Sequence, residues 1–343
     1  MDRAPWRPPL TVLLAVGGAL LVATVLVTVT IGPADIAVAD VGRSIAAHLG
    51  LPGAAPVPRL LDAIVWELRL PRVLTAAAVG AGLALAGAVM QSLTRNPLAD
   101  PYLLGLSSGA SLGAVAVLVV GVGLLLPVAA FAGALAALVA TLALARTGGV
   151  LTPGRAVLAG LAVSQLAAAG TSFVIFWTAT GDSYREILSW LMGSLAGATW
   201  SSVWIAGGAL AVVGVVLVLS ALRLDAFAFG DTSAAALGID VGRTRWTLMT
   251  LVALLTGAMV AVSGAIGFVG LVLPHAVSVV TGPVHRRLLP VVALTGAVFL
   301  VWADTLARTV FDPRELPVGI ITALIGVPVF AVLLRRGRGV AWS

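Results

Sequence analysis

The chain has 343 residues, of which 60% are hydrophobic and 10% charged, against roughly 25% charged residues in a soluble domain, so it is an integral membrane protein. Its formal charge of +6 comes from 20 basic residues, every one an arginine. The missing lysine excludes a P-loop ATPase, whose Walker A lysine holds the nucleotide phosphates. The missing cysteine excludes disulfides, iron-sulfur clusters and thiolate metal sites, and no basic stripe is interleaved with aromatics as in a nucleic-acid footprint.

About 20 apolar residues cross a bilayer, and ten such runs follow one another at 10–31, 73–93, 103–125, 127–145, 156–178, 202–221, 246–262, 266–282, 290–306 and 318–334. This predicts an all-α polytopic membrane protein, with residues 1–343 forming a single domain. The first run lacks a small-residue cleavage site before the chain turns polar, which predicts a retained helix in place of a signal peptide. Arg3 and Arg7 precede it, so the positive-inside rule places the N-terminus in the cytoplasm, and ten crossings return Arg335, Arg336 and Arg338 to the same side. In that topology 13 of the 20 arginines lie inside and nine of the 14 acids outside.

The outer segment 32–67 is too long for a turn and predicts a short helix around 41–49. The stretch LRLPR follows at 68–72. Pro71 suits a helix start, and Arg69 and Arg72 lie at the outer mouth, against the orientation bias and at the unfavourable end of the helix dipole. An external acidic partner accounts for them, and pairing with Glu67 or lipid phosphate is the plainer alternative. Along the same helix Gly80, Ala84, Gly87 and Ala88 permit close packing. Asn96, Pro97 and Leu98 then break the chain at the inner mouth as a candidate gate, while Ser107, Ser108 and Ser111 beside Gly105 and Gly109 favour tight packing of the third helix.

The inner segment at about 223–245 reads RLDAFAFGDTSAAALGIDVGRTR. Asp231 ahead of Thr232 and Ser233 offers N-cap chemistry, Ala234 to Leu237 favour helix, and Gly238 suits a C-terminal cap. The result is a short helix, a turn and a second start: a docking surface for a cytoplasmic partner, or an ordinary connector. Beyond it Gly264, Gly267, Gly270, Pro274, Gly282 and Pro283 interrupt an apolar stretch. Glycine and proline weaken a helix by about 1 and 3 kcal/mol each, so their density points to a pathway rather than to an anchor. His275 stands alone on this stretch, without the partners of a metal or catalytic site.

Several stretches carry a family resemblance: LRLPR at 68–72, GAVMQ at 87–91, RNPLADPYLLGLSSGA at 95–110, FGDTSAAALG at 229–238, GAIGFVGLVLPH at 264–275, HRRLLP at 285–290, and ADTLAR with ELPVGIITALIGVP within 303–328. Together they resemble the FecCD-type permeases, the membrane subunits of ABC importers for iron-siderophore complexes, haem and vitamin B12. The resemblance implies a BtuC-like type II importer fold of about ten helices. It also implies a second permease subunit, a cytoplasmic ABC ATPase dimer, an extracytoplasmic substrate-binding protein and a metal-chelate substrate, with no catalytic residue, metal site or cofactor in this chain.

By the same resemblance Arg69, Arg72 and Arg308 fall where glutamates of the binding protein dock, although Asp304 one turn before Arg308 is a competing partner. The coupling segment falls on Phe229, Gly230, Asp231, Ala235, Leu237 and Gly238. Gln91, Asn96, Pro97 and Leu98 fall on the pathway and inner gate. A second gate segment falls on Pro153 and Gly154, where some relatives carry small hydroxyl residues. The acid usual before HRR is replaced by Val284, which removes a local ion pair. The expected cargo is an iron-siderophore, with haem or cobalamin as alternatives. An ion-driven secondary transporter is a weaker reading because the apolar interiors hold only Asp304.

Overall fold

A computed structural model describes residues 8–51, 57–122, 126–146, 152–178 and 181–336. Arg3, Arg7 and Arg338, which bear on the orientation, lie outside these residues. Fourteen α-helices and no strand occur among the described residues: α1 (Leu10–Thr30), α2 (Val38–His48), α3 (Arg59–Thr94), α4 (Leu106–Val120), α5 (Leu126–Ala145), α6 (Pro153–Thr178), α7 (Gly181–Leu191), α8 (Trp200–Leu219), α9 (Ala221–Ala228), α10 (Asp231–Ala236), α11 (Val241–Ser263), α12 (Val269–Thr281), α13 (His285–Thr309) and α14 (Val318–Arg336). Seven are long and apolar enough to cross a membrane, and α4, α12 and α14 contain shorter apolar stretches. These ten helices coincide with the ten apolar runs, and α2 is the expected short outer helix.

Helix α3 is the axis of the bundle. Its most apolar window is 89% buried, packed against α13, α11, α12 and α8. Its 36 residues span about 54 Å, well beyond the ~30 Å hydrocarbon core, so it projects past the bilayer. It begins well before Pro71, contrary to the expected start there. A wider π-helical turn at Ile64–Arg69 precedes the proline, which loosens the backbone where the missing N–H would otherwise leave a carbonyl unpaired. The small residues of α3 act as expected. A Cβ on Gly87 would lie 2.0 Å from the Gly270 carbonyl oxygen of α12, and one on Gly80 would lie 2.2 Å from that of Gly296 in α13. Helices α4, α5 and α6 pack on one another, with α4 and α5 crossing at Gly109 and Gly133.

The glycine-rich break after α11 is an extended strap, residues 264–268, between two helices. Helix α12 has 13 residues and spans only about 20 Å, too short to cross alone. Gly264 has φ +66, and a side chain there would meet the Trp190 carbonyl at 2.2 Å. Phe268 holds φ +69 without being glycine. Protein groups satisfy freed backbone at the middle and start of this strap, as a non-helical stretch in a membrane requires. The Tyr102 hydroxyl donates to the Ile266 carbonyl at 3.1 Å and accepts from the Ile266 N–H at 3.2 Å. The Ser194 N–H donates to the Ser263 carbonyl at 2.8 Å.

Candidate functional site

The face carrying α9 and α10 is the inner face of the sequence-based topology. The short helix expected there is α10, with one correction: Asp231 is its first helical residue and not its cap, the cap position being Gly230 at φ +98. The Asp231 carboxylate is used elsewhere, so it does not fold back on the helix N-terminus. Gly238, at φ +80, ends the helix as expected: its N–H reaches the Ala235 carbonyl at 2.9 Å and the Ile239 N–H reaches Ala234 at 3.1 Å. This is the paired closure of a Schellman motif. The second start is α11, where Asp240 accepts from the Arg243 N–H at 2.9 Å.

Three side-chain contacts tie this inner loop to the core. The Arg245 guanidinium of α11 donates to Asp231 at 2.8 Å while lying over the Phe227 ring. Arg95, just past α3, approaches the same carboxylate at 3.8 Å. Arg95 itself has φ +50, a left-handed conformation that costs a non-glycine residue about 1 kcal/mol or more, and it directs the guanidinium toward Gly230 and Asp231. The third contact is Asp225 of α9, whose Oδ1 accepts from the His285 backbone N–H at 2.8 Å and meets the ring Nδ1 at 2.7 Å. A carboxylate from α9 thus reaches His285 across space, where the residue before it in the chain is Val284. These contacts join α10 to the inner ends of α3 and α11, and α9 to that of α13.

Three of the six pathway candidates collect in one place. A cavity of about 460 Å³ is lined by Gln91, Asn96 and Pro97 from the α3 side, Phe229 and Gly230 from the inner loop, and His275 from α12. Pro274 inside α12 has no N–H for the Gly270 carbonyl. Gln91 Nε2 fills that role, at 3.4 Å from the Gly270 oxygen and 3.0 Å from that of Leu271. Asn96 Oδ1 accepts from the Leu98 N–H at 2.9 Å and shapes the turn after α3. Leu98 is exposed and outside the lining, and Pro153 and Gly154 open α6, with Gly154 exposed. Asp231, Ala235 and Leu237 also lie outside the lining. Phe229 and Leu237, which flank α10, are 78% and 70% exposed.

At the opposite end the three outer arginines are engaged within the chain. Arg69 is 7% exposed and donates to the carbonyls of Val29, Thr30 and Ala34 at 2.9, 3.0 and 3.2 Å. Arg308 donates to Ile31 and Thr28 at 2.8 and 2.5 Å. Together they close the last turn of α1, where carbonyls lack intrahelical partners and the helix dipole is negative. Arg72 grips Asp304 of α13 at 2.9 and 3.0 Å and Glu315 at 2.8 Å. Asp304 therefore pairs with Arg72, while Arg308 turns to α1. Sequence reasoning singled out neither Arg95, Arg245 nor Asp225 as site residues. In the sequence they look like any interfacial charge, and their partners lie on other helices.

The family model of the FecCD transport family matches residues 20–336. The chain is 44% identical to the cobalamin import system permease protein BtuC of Halobacterium salinarum, over 94% of this chain and 95% of that one. It is 44% identical to the hemin transport system permease protein HmuU of Yersinia pestis, over 80% and 84%, and 44% identical to the Fe(3+) dicitrate transport system permease protein FecD of Escherichia coli, over 80% and 86%. Among solved structures, the fold is similar to a transporter described as a metal-chelate type ABC transporter in an inward-facing conformation, with a TM-score of 0.83 and 30% identity, covering 94% of this chain and 98% of that one. These relatives are permease subunits of multi-span membrane transporters. The chain belongs to the FecCD transport family, and its all-helical fold is that of an ABC importer permease.

Proposed function

We propose that residues 1–343 form a single permease domain, with both termini cytoplasmic, that pairs with a second permease subunit, identical or paralogous. A cytoplasmic ATPase dimer drives it and an extracytoplasmic binding protein feeds it. The supporting observation is the inner loop: exposed Phe229 and Leu237 flank α10, whose Asp231 is held by Arg245 and Arg95. A short helix seated in an ATPase groove and ionically tied to pathway helices converts nucleotide-driven closure into helix movement. Phe229, Gly230, Asp231, Ala235, Leu237 and Gly238 carry that coupling. Gln91, Asn96, Pro97 and Leu98 form the inner gate, with Pro153 and Gly154 as its second segment. Arg69, Arg72 and Arg308 form the docking mouth, Arg69 and Arg308 shaping it from within.

The cargo reading is an iron-siderophore, and cobalamin is the second reading, favoured by the match to a cobalamin permease over 94% of the chain. Haem is the third. An ion-driven mechanism is disfavoured because Asp304, the one acid in the apolar interiors of the predicted spans, is ion-paired with Arg72. Reconstitution in proteoliposomes with the ATPase and the binding protein tests the scheme. It predicts binding-protein-stimulated ATP hydrolysis and chelate uptake that survives collapse of the proton gradient. Absence of stimulation overturns it, and comparing radiolabelled ferric siderophore, haem and cobalamin selects the cargo.

A further inference from the structure

On the inner face a second cavity, of about 380 Å³, opens between the end of α8 and the start of α11. Its rim carries two arginines from different helices, Arg223 of α9 and Arg243 of α11. Among the described residues neither has a carboxylate within ion-pair distance. Asp240 also lines the cavity, its Oδ1 accepting from the Arg243 backbone N–H at 2.9 Å, and the two arginines outnumber its single negative charge. The rest of the lining is mixed: Ser220, Thr244 and Thr247 beside the apolar Val216, Leu248 and Leu251. Val212, Val215 and Leu219 of α8 and Leu222 of α9 are all exposed, forming an apolar rail along α8 that begins beside Arg223.

Unpaired guanidinium groups at the end of membrane-spanning helices, with a bare apolar surface adjoining them, match one chemistry. The phosphate of a lipid headgroup meets the arginines and its acyl chains lie on the rail. A soluble anion uses the first feature and leaves the second without a role. We propose that this cavity binds one anionic phospholipid, its headgroup between Arg223 and Arg243 and its chains along α8. Only the assignment to the inner leaflet rests on the orientation proposed above. Gly238, which closes α10, lines the same cavity, so the headgroup bridges the exit of the inner loop to α8 and makes loop stiffness depend on the lipid.

The test is native mass spectrometry of the full chain in detergent, titrated with phosphatidylglycerol or phosphatidylcholine. A basic residue at an anionic surface is worth about fivefold in affinity, so R223Q/R243Q should lose phosphatidylglycerol binding by roughly tenfold or more. R43Q, on the opposite face, should keep it, and phosphatidylcholine binding should be weak and unchanged throughout. Both arginines are exposed, and an unchanged far-ultraviolet circular dichroism spectrum will show that the double variant is folded. Equal retention of phosphatidylglycerol by the wild type and the folded double variant overturns the proposal. So does displacement of the lipid by millimolar inorganic phosphate, which would assign the site to a soluble anion. The readout requires neither transport nor a particular topology, so failure of either leaves this test interpretable.

Discussion

A mutational cycle can separate the ion pair of Arg72 from its proposed docking role, because its partner Asp304 is 2% exposed and Arg72 itself 11%. Arg72→Met strands a buried carboxylate, a loss that costs about 3–5 kcal/mol when one member of a buried pair is removed. Asp304→Val should cost less, since Arg72 keeps Glu315 at 2.8 Å, a partner itself 45% exposed. The double variant R72M/D304V removes both charges and should return to within about 1 kcal/mol of wild type or exceed it, as apolar replacements of buried pairs do. Equilibrium unfolding in mixed micelles, followed by tryptophan fluorescence, measures all four corners. Wild-type stability of R72M would refute the claim that Asp304 is held as a buried anion by Arg72, and additive single effects would refute the coupling. The restored double variant then isolates docking. If Arg72 receives an acid of the binding protein, R72M/D304V folds yet loses binding-protein stimulation of the ATPase, and full stimulation would remove Arg72 from the docking mouth.

Two further perturbations bear on the crossing of α3 and α12 and on the loop after α3. In Gly87→Ala the new Cβ lies 2.0 Å from the Gly270 oxygen where ordinary contact begins at 3.4 Å, so the helices must part by roughly 1.4 Å. Overpacking of about 1–3 kcal/mol should outweigh the ~1 kcal/mol gain in helix propensity, and a variant more stable than wild type would show that the crossing yields freely. Asp100 lies in that loop and caps its short 3₁₀ turn through the Tyr102 N–H at 2.8 Å. Burial pushes its carboxyl from 3.8 up to about 6, opposed by the hydrogen bond from Tyr102. The fold thus favours the protonated acid: its contribution is complete below the unfolded value and is lost as pH rises through about 6. Stability should fall by roughly 1–3 kcal/mol between pH 4 and 7 from this group, and Asp100→Asn should flatten that part of the profile, an unchanged slope counting against the assignment.

Unlike α7 and α9, the ten apolar helices and their approximate positions, the short outer and inner helices α2 and α10, and the break after Ser263 were legible in the sequence. Each depends on a local property: apolar run length against bilayer thickness, or the backbone preferences of glycine and proline. Motif spacing likewise carried the family. Partnership was not legible. Nothing local indicates that Arg69 and Arg308 close the end of α1, that Arg72 and not Arg308 takes Asp304, or that Asp225 supplies the carboxylate missing before His285. Those pairings join residues distant in the chain, and an interfacial arginine reads the same whether it faces water, lipid or a carbonyl. The sequence determined which backbone must break. Only the tertiary structure decided which side chains satisfy the broken ends, because hydrogen-bond satisfaction inside a membrane bundle depends on which helices cross and at what depth.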